Sequence, residues 1–247
     1  MVTRAQDLDG KVAVVTGGSR GIGYAVAQSL VSQGASVVIT GRDQAHLDAA
    51  VAGLSAPQRV HAIKSDVGDP DQAAAAIAAA VDRFGGLDIL VNNAGIGIFA
   101  NVADMDVRQW RDTIGTNLDG VFYCCHAAIP LMRERGGGWI INISSLAGKN
   151  AFVSGAAYCA SKAGLNAFSE SLMQEVRFDN IRVSYIMPGS VATAFGGHSA
   201  QAAGINRRGE DWKIAAEDVA DVVMDLIHTP ARTLPSRIEM RPSRPRK

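Results

Sequence analysis

Thr16-Gly17-Gly18-Ser19-Arg20-Gly21-Ile22-Gly23 is the stretch whose reading decides the fold. An apolar, β-branched run precedes it over residues 12–16, and a helical pattern follows over residues 21–33. Glycines between a strand and a helix let the backbone turn sharply and approach a pyrophosphate closely. The opening turn of the helix offers free N–H groups and a partial positive charge to that anion. A glycine-rich turn alone also suits any tight connection, so its surroundings must carry the reading. The same residues contain Gly17-x-Ser19-x-Gly21, spaced like a hydrolase nucleophile elbow, with His126, His198 or His228 and an acid as partners. An elbow normally comes after several strands, whereas this turn follows the first, and no His-Gly-Gly segment precedes it.

Outward from that turn, apolar runs alternate with helical patterns. Strands are predicted over residues 36–40, 60–65, 88–92, 139–143, 181–186 and 237–241. Helices are predicted over residues 43–54, 104–135 (with a break near Gly115), 158–179 and 217–228. Another runs to Phe84 from an Asp69-Pro70 start, with Gln72 placed for a capping box. Its alanine-rich body is helical because Ile77, Val81 and Phe84 recur at helical spacing. Strands this apolar on both faces belong in a parallel sheet covered on each side. The fold class is therefore α/β: a doubly wound, Rossmann-like parallel sheet of about seven strands with helices on both faces. Residues 1–247 read as a single domain, since neither a linker nor a repeat divides them. The basic, proline-rich tail 241–247 reads as a solvated end rather than a nucleic-acid patch.

Composition narrows the class further. Lys+Arg and Asp+Glu number 24 each, so no net field draws the chain to nucleic acid or an anionic membrane. Cys124, Cys125 and Cys159 form no CxxC pair and are odd in number, which argues against a disulfide framework and a zinc site; no metal ligand set is read. The polar N-terminus is not read as a signal peptide, and no apolar run is long enough to span a bilayer. A reducing, cytoplasmic setting is the expectation.

The further motifs complete a pattern. After the glycine turn come Asp66-Val67, Asn92-Asn93-Ala94-Gly95, Asn117, Ser145, Tyr158-x-x-x-Lys162 and Pro188-Gly189-x-x-x-Thr193. Taken together and in this order, over residues 8 to about 240, the sequence resembles the short-chain dehydrogenase/reductase family. Tyr158-x-x-x-Lys162 is the only such pair in the chain, since Tyr24, Tyr123 and Tyr185 lack a lysine four residues on.

Tyr158 and Lys162 lie four apart on a predicted helix and so share a face. A free phenol has a pKa of about 10, and a neighbouring ammonium is expected to lower it, giving a tuned acid/base. Ser145 follows the fifth strand and can bond a substrate oxygen as charge develops, with Ser144 as its competitor. The resemblance selects Ser145 and implies that Asn117 holds a water linked to Lys162 in a proton relay. It also implies that Lys162 bonds the nicotinamide ribose. Asp66 and Val67 would contact the adenine, and Asn93, Ala94 and Gly95 would lie beside its ribose. Pro188, Gly189, Val191 and Thr193 would embrace the nicotinamide and phosphate. Gly17, Ser19, Arg20, Gly21, Ile22 and Gly23 would hold the pyrophosphate. Each residue also has a plainer reading: Asp66 as a turn cap, Asn93 as sheet-end bonding, Asn117 as a partner for backbone groups, Pro188-Gly189 as a simple turn.

NAD-specific members place an acid at the tip of the second strand. Here Gly41 holds that place, Arg42 follows, and Arg20 can converge on the same spot, so NADP(H) is expected over NAD(H). Asp43 is the counter-argument, should the turn shift by a residue or two. Ile96, Ile98, Phe99, Phe152, Val191 and Phe195 suggest an apolar pocket for a small-molecule ketone or aldehyde, or the matching alcohol. Ser145, Phe152, Tyr158 and Phe195 are the expected substrate contacts. Residues 196–211 read as a mobile lid hinged at Gly196-Gly197. A homo-oligomer, tetramer or dimer, is expected from the resemblance. A 3-oxoacyl-carrier-protein reductase and a silent NADPH-binding regulator are the alternatives. The C-terminus departs from the first, and the intact Asn117, Ser145, Tyr158 and Lys162 set departs from the second.

Overall fold

The computed structural model describes residues 8–195 and 212–245. Seven strands form one parallel sheet: β1 (Val12–Val15), β2 (Ser36–Gly41), β3 (Val60–Lys64), β4 (Ile89–Asn92), β5 (Gly138–Ile143), β6 (Ile181–Pro188) and β7 (Arg237–Met240). Their spatial order is β3-β2-β1-β4-β5-β6-β7. The chain works outward from β1 to β3, then crosses back to lay β4 on the other side of β1. A doubly wound sheet opens a crevice at such a reversal, beyond the carboxyl ends of the strands.

Alternation along each strand divides the core. Ala13, Val15, Val37, Ile39, Ile141 and Ile143 face one side, where they pack with α1 (Gly21–Ser32), α2 (Gln44–Leu54) and a late helix, α7 (Ala216–His228). Val12, Val14, Val38, Leu90, Ile140 and Val183 face the other, against α3 (Pro70–Phe84), α5 (Gly120–Glu134) and α6 (Ala156–Val176). A period of two in the backbone thus gives the central runs two buried faces, while the edge strands β3 and β7 are only partly covered. This is the α/β sheet with helices on both faces that the apolar runs predict.

Helix starts follow local chemistry. Asp69 caps α3, accepting from the N–H groups of Asp71 and Gln72 at 3.0 Å each, with Pro70 in the first turn. The Gln72 side chain departs from the expected capping box: it reaches past Asp69 and accepts from the Asp66 N–H at 3.0 Å, tying the end of β3 to α3. A complete box opens α4 (Val107–Ile114) instead, where Asp106 accepts from Arg108 N and Gln109 accepts from Asp106 N. The break expected near Gly115 is a single π-helical stretch, Gly115–Asp119, that joins α4 to α5 without interruption. Among the described residues no helix is long and apolar enough to cross a membrane.

Candidate active site

The carboxyl ends of all seven strands border one cleft of about 1120 Å³. That exceeds the ~300–1,000 Å³ usual for one drug-sized ligand, so a dinucleotide and a second molecule both have room. After β1 the glycine turn contributes Gly17, Ser19, Arg20, Gly21 and Ile22. Gly17 and Gly21 sit at φ +63° and +57°, where an L side chain is strained. The turn is pinned from below. Thr16 Oγ1 accepts from the N–H groups of Asn93 and Ala94 at 3.0 Å each, and Asn93 Nδ2 donates to the carbonyls of Thr16 and Gly17. Gly23 lies behind the cleft rather than in it. A Cβ there would stand 2.4 Å from both Asn93 Nδ2 and Gly17 O. Arg20, the cap of α1, gives no side-chain bond to the helix, and no acid lies in its first turn, so those N–H groups keep their capacity for an anion. The plainer, sheet-end reading of Asn93 therefore holds, and its bonds shape the turn.

The next two strands supply the far end. Arg42, Asp66 and Val67 line it. Asp43 does not hang free beside them: it is the N-cap of α2 and accepts from His46 N at 3.0 Å. That bond, with lesser help from the charges of His46 and Arg20, holds its carboxyl below the usual range. Arg42 Nη1 is 3.8 Å from Asp66 Oδ2, a loose surface pair. Asp66 also closes its own turn, accepting from Gly68 N at 3.0 Å, as the plainer reading has it. A glycine at position 41 leaves this corner open beside the Ser19 hydroxyl, and two guanidiniums border it, a donor set suited to a phosphate ester.

The remaining strands assemble the reactive end. Ala94, Gly95, Ser145, Phe152, Tyr158, Lys162, Pro188, Gly189, Val191, Thr193 and Phe195 line the same cleft, with Asn93. The two serines part company: Ser144 Oγ donates to Asn166 Oδ1 at 2.5 Å and is buried, whereas Ser145 is half-buried and lines the cleft with the Tyr158 phenol, whose acidity it affects. Lys162 is buried, and its Nζ donates to Ile143 O at 2.8 Å, 5.9 Å from the centre of the Tyr158 ring. Burial pushes the phenol up to about 12, with the Ser145 hydroxyl pulling the other way, and brings the lysine down to about 8. The expected lowering of the phenol is thus reversed. Desolvation dominates at both groups, and the buried lysine spends a donor on a carbonyl of β5.

Asn117, on the π-helical stretch, is fully buried and lies outside the cleft lining. Its amide is engaged on three sides: Oδ1 accepts from Ile96 N at 2.8 Å, while Nδ2 donates to Ile96 O at 2.9 Å and to Ser161 Oγ at 3.0 Å. Gly95 separates it from Lys162, for a Cβ there would meet Asn117 Oδ1 at 3.2 Å and Lys162 Nζ at 3.8 Å. Asn117 therefore clamps the loop after β4 to α6 one residue before the lysine.

Two contributions escaped the sequence reading. Thr16 anchors the glycine turn, and its signal was only its place at the strand end. The tail is the other: Arg241, Pro242 and Pro245 line the cleft, and Gly189 N donates to Met240 O at 2.8 Å. The described tail is mostly exposed, as a solvated end would be, but it also borders the cleft. Parallel pairing of β7 with β6 delivers the tail to the cleft, a tertiary fact that no local pattern announces. The expected lid, residues 196–211, lies outside the described residues, as does His198. Neither His126 nor His228 lines the cleft beside Ser19, so the elbow reading finds no base in them. Among the described residues no three of His, Cys, Asp or Glu gather as metal ligands, and the three cysteines are buried thiols, Cys124 pushed up to about 12 by burial.

A crossover between parallel strands, a pinned glycine turn at the crevice and a Ser-Tyr-Lys cluster across from it define a class of nucleotide-dependent oxidoreductase. Residues 11–204 match the model of the short chain dehydrogenase family, and the chain belongs to that family. An uncharacterized oxidoreductase of Staphylococcus epidermidis is 34% identical over 232 residues, 94% of this chain and 97% of its own. A metagenomic short-chain oxidoreductase, solved in complex with NADP, superposes with a TM-score of 0.82 at 37% identity, covering 96% of this chain and 99% of its own. A candidate short-chain alcohol dehydrogenase from Sinorhizobium meliloti 1021 superposes at 0.85 with 34% identity, covering 94% and 95%.

Proposed function

We propose that this protein reduces a carbonyl to a secondary alcohol, or runs the reverse, with NADP(H) as the hydride carrier and Tyr158 as the proton donor. The observation that carries the reading is the meeting of the Ser145 hydroxyl, the Tyr158 phenol and the Lys162 ammonium in the cleft that the glycine turn opens. A reduced nicotinamide, when bound, supplies hydride to the carbonyl carbon. Ser145 and Tyr158 bond the carbonyl oxygen and orient it. As the C=O π bond opens, its electron pair moves to that oxygen, which takes the proton of Tyr158 Oη. The net change is one hydride and one proton added across C=O. A phenol held near 12 is protonated at neutral pH, which suits donation. Lys162 places positive charge where phenolate forms and can return the proton. Asn117 is a positioning residue in this scheme, since its amide fixes the loop and the helix turn on either side of Lys162.

The choice of NADP(H) rests on Arg20 and Arg42 at the open corner beside Gly41, and on Asp43 being spent as a helix cap. The related metagenomic enzyme holding NADP supports it. Pyrophosphate binding falls to the N–H groups at Gly17–Gly23 and the opening of α1. The chain is read as one domain that pairs with copies of itself through α5 and α6. Phe122 is 48% exposed there and forms one apolar patch with Tyr123, His126 and Phe168.

Tyr158→Phe tests the proposal. Turnover is expected to fall by about 10³-fold while NADPH affinity stays within about three-fold. Near-normal turnover refutes the role of the phenol. The wild type is also expected to favour NADPH over NADH in kcat/KM, and a ratio below one overturns the cofactor preference.

A further inference from the structure

We infer that the substrate is an aryl ketone or aryl aldehyde, its flat ring seated in an aromatic collar that Phe99, Phe152 and Phe195 build around Tyr158; this rests on the carbonyl-reduction reading of the site. The rings come from three separate segments, following β4, β5 and β6, and all of them line the cleft. Phe99 lies 5.7 Å from Tyr158, edge-on at 76°, and 5.7 Å from Phe152 at 52°; Phe195 lies 5.6 Å from Tyr158 at 51°. These separations and tilts fall in the range that aromatic pairs prefer, and all three rings line the cleft together with the phenol.

Two features separate the collar from ordinary core. Phe152 and Phe195 remain 41% and 40% exposed although they face a cleft. Single exposed phenylalanines are common on surfaces, but two that line one cleft beside a reactive hydroxyl present aromatic area to whatever enters it. The rings are also seated on glycine. A Cβ on Gly97 would stand 2.7 Å from Phe195 Cε1 and 2.9 Å from Phe99 Cζ, and one on Gly155 would stand 2.6 Å from Phe152 Cε2. Any larger residue at either place would drive the rings from these positions. Aliphatic walls would suit an alkyl ketone equally well; aromatic walls add quadrupole contacts that a planar π-system matches better than a saturated ring does.

Acetophenone and cyclohexyl methyl ketone make the comparison, because they match in size and differ in planarity. Conjugation leaves the aryl carbonyl the less electrophilic of the two, so a preference for it must come from the protein. Two readouts are taken on the wild type with cofactor: calorimetric affinity of each ketone for the NADP+ complex, and kcat/KM with NADPH. Tighter binding and faster turnover of acetophenone, by on the order of ten-fold, are expected. The ratio should collapse toward one in Phe152→Leu/Phe195→Leu, which keeps apolar bulk without the rings. A wild-type affinity ratio of one or less, feeble binding of both ketones, or a ratio unchanged in the double variant overturns the collar. Preferential aryl binding without turnover upholds the collar and sinks the reductase reading, whereas turnover of both ketones without aryl preference does the opposite.

Discussion

Lys162 shows what burial does to a single charged residue. It is 4% exposed, and burial brings its ammonium down to about 8. The unfolded chain holds that proton up to about 10.5, so between the two values the unfolded state binds more protons and stability rises with pH. Below about pH 8 the buried charge works against folding in full, offset in part by the bond to Ile143 O. Lys162→Met keeps the length and removes the charge. It should be more stable than the wild type at pH 7 by on the order of 2 kcal/mol, with the gap closing as pH climbs toward about 10. Urea unfolding at the two pH values checks this, and a gap that widens with pH contradicts it. Tyr158, raised to about 12, titrates above that window. At this scale the sequence was informative about identity and silent about environment. The Tyr-x-x-x-Lys spacing brought both residues into one cleft, but the direction of the phenol's shift depended on how much water the cleft excludes. Ser144 and Ser145 could be told apart by resemblance alone; the reason they differ is Asn166, which takes the first hydroxyl.

Elements were legible where a period or a cap spoke for them. All seven strands lie within a residue or two of the predicted runs, most sharply the central ones, which are buried on both faces, and α3 begins where Asp69-Pro70 says it should. The π-helical stretch was not legible, since Gly115-Thr116-Asn117-Leu118-Asp119 carries no hydrogen-bond register in its residue types. Such turns recur at functional sites because the extra residue re-aims a side chain, and here it carries Asn117, which is bonded to the loop after β4. The glycine turn makes the sharpest prediction at this level. Its shape depends on Asn93 bonding two of its carbonyls, and Gly23 is packed against that same amide. Gly23→Ala should therefore destabilise the fold by about 2 kcal/mol and weaken NADPH binding by at least about ten-fold, through overpacking rather than lost contact with the ligand. Gly115→Ala is the control, since a Cβ there meets nothing within 4 Å and its φ is ordinary. It should be neutral or slightly stabilising. Equal damage from both variants, read by thermal melts and cofactor titration, would contradict the clamp.

Across the whole molecule, chemistry and anchorage sit at opposite edges of one sheet. The cleft takes the carboxyl ends of the strands, and the amino ends are drawn together by Asp88. That carboxylate accepts from Val12 N at 2.9 Å, Arg135 at 3.0 Å and Lys11 at 3.1 Å, joining the starts of β1 and β4 to the end of α5. It is 3% exposed, and burial alone would raise its pKa; the Val12 N–H, Arg135 and Lys11 together outweigh burial and hold it below the ordinary value. Since the folded value is the lower one, the stabilisation is complete above the unfolded value of about 4 and fades as pH falls through the folded value. Asp88→Asn keeps the shape but removes the charge that Arg135 and Lys11 share. Both partners are about two-fifths exposed, so solvent screens the loss, and a deficit of about 2 kcal/mol at pH 7 is expected rather than the full ~3–5 kcal/mol of a wholly buried pair. The deficit should shrink below about pH 4, where the wild-type carboxylate gains its proton too. Because Asp88 lies a strand's length from the cleft, kcat/KM at pH 7 should change by less than about two-fold. Denaturant melts across the acid range, paired with steady-state rates, decide it: a deficit that persists undiminished at acid pH would mean that geometry, not charge, ties the amino edge together.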